Sequence, residues 1–175
     1  MNVKSVLTRV AAAAAGVLLL IQLVPYGRAH TNPPVVAEPA WDSPATRDLA
    51  KRACFDCHSN ETVWPWYSNV APISWMVQEH VDEGREYLNF SEWNRPQEEA
   101  GEAGETVAEG EMPIPDYVRL HPQAALTPSE KARLIEGLNA TLGAGEAEAT
   151  GEAGATGEQA EHERGERDDH DDDDD

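Results

Sequence analysis

Cys54-Phe55-Asp56-Cys57-His58 reads C-x-x-C-H, the attachment spacing of a c-type haem. The chemistry requires these residues at this spacing. Two thiols add to the two vinyl groups on one porphyrin edge, and the following residue, His58, comes to the proximal side of the iron. The chain has two cysteines, both in this motif, so it carries no structural disulfide pattern. Two other readings of C-x-x-C compete. A thioredoxin-like dithiol wants a βαβ context, which the pattern around the motif lacks. Half of a zinc site needs two more ligands, and only distant His80 and His121 are available.

The net charge of the 175 residues is −20. Residues 143–175 hold 14 Asp and Glu against Arg164 and Arg167, so the tail supplies most of that charge. No Lys/Arg cluster is long enough to track a phosphate backbone, which argues against nucleic acid as a partner. An acidic surface suits a basic protein partner or solubility. Between an apolar start and this acidic tail lie about 100 residues, enough for one small domain with a thin core. A covalently held haem adds a large apolar body to such a core.

Lys4 and Arg9 precede an apolar run over residues 10–24, the pattern of an export signal. Extended over residues 6–26, with Arg9 snorkelling, the run is long enough to span a bilayer. Gly27-Arg28-Ala29 is a poor cleavage site, so an uncleaved anchor is preferred to a removed signal. The flanking cations keep the N-terminus inside and place the remaining chain outside a bacterial cytoplasmic membrane. The domain reading is therefore a signal anchor over 1–29, a proline-rich linker over 30–43 that lifts the domain off the membrane, a haem domain over 44–142, and a disordered acidic tail over 143–175.

Within the domain, Asp42 or Ser43 caps a short helix with Pro44 in its first turn, and the C-x-x-C-H motif falls at the C-terminal end of that helix. Trp64, Trp66, Tyr67 and Trp75 follow at once and are candidate walls of a haem pocket, or ordinary core. A helix over 73–81, ended by Gly84, carries His80 on its apolar face. Residues 96–110 hold a weak helical pattern weakened by Gly101 and Gly104. Met112, set in a proline-stiffened loop (Met112-Pro113-Ile114-Pro115), is the candidate distal ligand, with His80 and His121 as alternatives. Thr127-Pro128-Ser129-Glu130 is a capping box that starts a last helix, with Leu134, Ile135, Leu138 and Leu142 on its apolar stripe and Gly143 at its end. His162 and His170 lie in the solvated tail.

These elements resemble the haem-binding domain proteins related to class I c-type cytochromes. The resemblance rests on residues 54–62, Trp64-Pro65-Trp66-Tyr67, Ala71-Pro72-Ile73-Ser74-Trp75, Glu83-Gly84-Arg85, residues 88–93, Gly110-Glu111-Met112-Pro113 and Leu120-His121-Pro122. It covers about residues 32–143. It implies an all-α, class I cytochrome c-like domain around one covalent haem c, behind an N-terminal membrane helix. Cys54 and Cys57 are then the attachment sites, His58 the proximal ligand and Met112 the distal one. Ile114 stands where the family often has a second proline, and residues 97–109 are peculiar to this chain.

The expected function is electron transfer to an unidentified redox protein by a non-enzymatic carrier outside the membrane. One alternative is a haem peroxidase or a redox or gas sensor whose distal ligand lets go. Another is a non-haem metal-binding protein using Cys54, Cys57, His80 and the tail.

Overall fold

The computed structural model describes residues 2–151. Among these, all regular structure is helical, apart from one isolated bridge between Ala37 and Glu92. The seven α-helices are α1 (Val3–Ile21), α2 (Pro44–Ala53), α3 (Phe55–His58), α4 (Ile73–Tyr87), α5 (Ala103–Glu109), α6 (Pro115–Leu120) and α7 (Pro128–Gly151). The all-α expectation therefore holds.

Helix α1 contains 19 residues, none of them buried. At about 1.5 Å per residue it nearly matches a hydrocarbon layer of about 30 Å. It is long and apolar enough to cross a membrane, as an anchor or as a signal sequence.

The core is built where α2, α5 and α7 meet. Leu49 and Ala50 of α2, Val107 of α5 and Leu134, Leu138 and Leu142 of α7 are buried together with Phe55, Leu88 and Phe90. Helix α2 starts as the sequence predicts. Ser43 accepts the Thr46 amide at 3.2 Å and Pro44 occupies the first turn. Helix α7 starts on the predicted capping box, in which Glu130 Oε2 accepts the Thr127 amide at 2.8 Å and Thr127 Oγ1 accepts the Glu130 amide at 3.3 Å.

Gly84 and Gly143 do not end helices. Helix α4 runs through Gly84 to Tyr87, and α7 runs through Gly143 to Gly151. A glycine costs about 1 kcal/mol inside a helix. That cost is offset at Gly84 by close packing, and beyond Gly143 the chain continues in Ala and Glu, which are good helix formers. The rest of the acidic tail, residues 152–175 with His162 and His170, lies outside the described residues. The weak pattern over 96–110 forms a 3-10 turn (Ala100–Glu102) and α5, closed by Gly110 at φ 85°.

The proline-rich stretch lies along the domain, bound to it by backbone hydrogen bonds. Val36 N–H donates to Ser91 O at 2.8 Å, and Trp93 N–H donates to Ala37 O at 3.0 Å. Trp41 packs 5.1 Å from Phe90, ring to ring. The Arg85 guanidinium reaches Thr31 O, Asn32 Oδ1, Ser59 O and Thr62 Oγ1, binding this strap to the chain that follows the motif.

Candidate functional site

Helix α2 closes where Cys54 N–H donates to Ala50 O at 2.7 Å. The Cys54 carbonyl then accepts the amides of Cys57 and His58, at 3.1 and 2.9 Å, and so winds α3. Phe55, between the cysteines, is buried at 2% exposure and packs 5.5 Å from Phe90. This side chain pins the short helix to the core. Cys54, Cys57 and His58 are left lining a cavity on the other side.

That cavity, of about 250 Å³, is also lined by His80, Glu83, Gly84 and Tyr87 of α4, by Met112, Pro113 and Ile114, and by Tyr117 of α6. Two smaller cavities share its walls. One, of about 110 Å³, shares Cys54, His58 and Met112 and reaches Val107 and Leu138. The other, of about 90 Å³, shares Cys57, His80 and Tyr117 and reaches Tyr67 and His121. Together they fall in the size range of cofactor pockets, about 300–1,000 Å³.

His58 is held in place by backbone hydrogen bonds on both its ring and its carbonyl. Its Nδ1 donates to the Leu88 carbonyl at 3.1 Å, and Phe90 N–H donates to the His58 carbonyl at 2.9 Å. Burial lowers the imidazole pKa, opposed by the Leu88 and Gly84 carbonyls, so the ring is held neutral. With Nδ1 carrying the proton, Nε2 keeps a free lone pair. A backbone carbonyl fixing the tautomer in this way is a recurrent feature of ligating histidines.

Burial pushes the Cys54 thiol up to about 12 and the Cys57 thiol up to about 11. Reactive dithiols work the other way, through a depressed thiol pKa in an electropositive setting. The zinc alternative gains no support either. Among the described residues, no three of His, Cys, Asp and Glu come together as a metal cluster.

Helix α4 approaches the motif closely at Gly84. A Cβ there would lie 2.6 Å from the Cys57 carbonyl oxygen. The approach brings His80, Glu83 and Tyr87 to the cavity wall. Opposite, the amides of Glu111 and Met112 both donate to Thr106 O, at 3.0 and 3.2 Å, and hold the Met112 loop on the end of α5. Tyr117 O–H donates to Asp56 Oδ2 at 2.6 Å, tying α6 directly to the motif.

The family comparison agrees with this arrangement. A sequence model described as a haem-binding domain matches residues 16–140. The chain belongs to the haem-binding domain family. Neither a curated protein nor a solved structure matches it. The family match begins inside α1 and ends within α7, so it takes in the whole cavity. The residues fit the group that the family binds, with a neutral imidazole bearing a free nitrogen, two thiols and an apolar enclosure on one cavity.

The other candidates are distributed unevenly. Met112 and His80 line the cavity with Cys54, Cys57 and His58. His121 lines the third cavity with Tyr67; its Nε2 lies 3.2 Å from Tyr67 Oη, and its ring stacks on Tyr117 at 4.2 Å. Trp64 stacks on His30 at 4.7 Å and donates to Asn32, away from the cavity. Trp66 is 79% exposed, and half-buried Trp75 does not line any of the three cavities.

Sequence reasoning missed Phe55, Asp56, Gly84 and the Leu88 carbonyl as parts of the site. It also missed a buried network in which Asn89 Nδ2 donates to Asn60 Oδ1 and Ser91 Oγ accepts the Asn60 amide. Only the density of Asn and Ser beside Phe90 signalled it.

Proposed function

We propose that the chain carries one haem c, bound through Cys54 and Cys57 with His58 and Met112 as axial ligands, and transfers electrons outside the membrane. The observation that supports this best is the common cavity lined by Cys54, Cys57, His58 and Met112. A haem supplies a centre that gains and loses one electron. The chain's own contribution is binding and exclusion of water. His58 is fixed by Leu88, Cys54 and Cys57 would hold the group on one edge of the cavity, and the Met112 thioether, a soft ligand, is presented by a loop fixed at both ends.

A His/Met pair fills both axial positions, which suits a carrier over a catalyst. Glu83, Glu99 and Glu102 lie on the cavity walls and are exposed, an arrangement that favours a redox partner with a basic face. His80 supports a second reading, because it lines the same cavity as His58. It competes with Met112 as distal ligand, or serves as a hydrogen-bonding group if the sixth position opens for peroxide or a gas.

The test is expression with a haem c maturation system. Haem stain surviving denaturing electrophoresis is expected, and its loss on Cys54→Ser with Cys57→Ser would establish the covalent link. A low-spin ferric spectrum with a Met–iron charge-transfer band is expected. Met112→Ala should abolish that band and His80→Ala should leave it. A band unchanged in Met112→Ala sinks the distal assignment. A high-spin wild-type spectrum with rapid carbon monoxide binding favours the sensor or peroxidase reading.

A further inference from the structure

The end of α1 is built into the haem domain. Gln22, at its C-terminal boundary, uses its amide in both senses. Nε2 donates to the Ala71 carbonyl at 2.8 Å, and Oε1 accepts the Ala71 amide at 3.0 Å. Arg28 closes the turn by donating to Gln22 O and Gln22 Oε1, each at 2.8 Å. Gly27 is buried at φ 75° against α4, where a Cβ would meet Ser74 O and Gln78 Cβ. His30 Nε2 lies 2.9 Å from Ser68 Oγ. The connection from helix to domain is thus a hydrogen-bonded joint and not a flexible tether.

Around that joint the chain exposes apolar side chains. Leu23 is 78% exposed, and Val24 and Tyr26 are exposed beside it. On the domain, Val70 and Ile73 flank the Ala71 that Gln22 grips, and Trp66 stands one 3-10 turn earlier; all three are exposed. A helix that nearly matches the hydrocarbon thickness leaves Gln22 at the lipid–water boundary. Its partner Ala71 is then at the same depth, and the residues flanking Ala71 cannot be far from it. Trp and branched apolar residues are suited to this zone, which accepts an apolar body beside polar groups.

We propose that the face formed by Trp66, Val70 and Ile73 is seated on the phospholipid bilayer that holds α1, so that the haem domain is fixed in one orientation against the membrane. The occupant of this face is lipid, because the face is continuous with the helix that enters the lipid. The proposal rests on α1 being retained as an anchor.

Full-length holoprotein in phosphatidylethanolamine/phosphatidylglycerol nanodiscs, containing a phospholipid with a photoreactive diazirine in its headgroup region, provides the test. Lipid adducts are expected on residues 22–26 and also on residues 66–73. Gln22→Ala removes both bonds to Ala71 and should lower the adducts on 66–73 several-fold while leaving those on α1. Adducts confined to residues 3–26 overturn the proposal, whether the face then stays in water or is found against a protein. Failure of the anchor reading shows separately, as a mature N-terminus beyond Ala29 in the membrane-expressed chain or as release by carbonate, and this too overturns it.

Discussion

Phe55 and Asp56 are the two free positions of the C-x-x-C-H motif, and neither is free in the fold. Phe55 sits between Trp41 and Phe90, with the Arg47 guanidinium 5.6 Å from its ring. Phe55→Ala should cost about 3–5 kcal/mol, read by denaturant unfolding of the holoprotein, and should disorder the turn that presents Cys57 and His58. Asp56 accepts the Val63 amide at 2.9 Å and the Tyr117 hydroxyl at 2.6 Å. Burial, reinforced by this acceptor, keeps Tyr117 protonated well above the ordinary phenol range. Tyr117→Phe removes a hydrogen bond to a charged group, expected to cost about 1.5–3 kcal/mol. Because α6 begins just after the Met112 loop, the same variant should also weaken the Met–iron band, whereas a purely structural loss would leave it. The position of the tryptophans next to the motif in sequence suggests a haem wall, yet Trp64 and Trp66 turn to the strap and to the outside.

At the scale of elements, the site depends on how close α4 comes to α3. Gly84→Ala places a methyl against the Cys57 carbonyl, and overpacking of this kind costs about 1–3 kcal/mol. A drop in thermal midpoint together with poorer haem incorporation is expected; unchanged values for both would show that the two helices separate freely. Glu130 joins two elements, since it caps α7 and meets Arg52 of α2 at 2.7 Å. The Thr127 amide, then Arg52, holds its carboxyl down to about 2, against an ordinary 4.5. A lowered carboxylate pKa means that the folded state binds fewer protons than the unfolded one. Its stabilising effect is present above pH 4.5 and is lost as pH falls towards 2. Glu130→Gln should therefore reduce the dependence of stability on pH across that acidic window, measured by urea unfolding at several pH values, and change it little above it. A wild-type slope in the variant would remove Glu130 from the acid response.

A chain anchored by α1 should stay with membranes through carbonate washing, and its intact mass should include residues 1–29. Gln22→Ala should remain anchored but lose the fixed joint, seen as faster proteolysis after Arg28 by trypsin. Much of this architecture was legible in the sequence. Local chemistry marks its own positions, so C-x-x-C-H, the Ser43–Pro44 start, the Thr127–Glu130 box and the apolar N-terminal run can all be read from neighbouring residues. The all-α class came from the resemblance to the haem-binding domain proteins. Haem binding, shown by family membership, was already present in the motif. Tertiary structure decided the rest, because the deciding contacts join residues far apart in the chain. Leu88 selects the tautomer of His58, Gly84 lets α4 close on Cys57, Tyr117 ties α6 to Asp56, and Ala71 receives Gln22. None of these has a periodic or spacing signature. A backbone carbonyl offers no residue type to recognise, and a glycine required for close approach looks like a helix end until the neighbouring helix is in place.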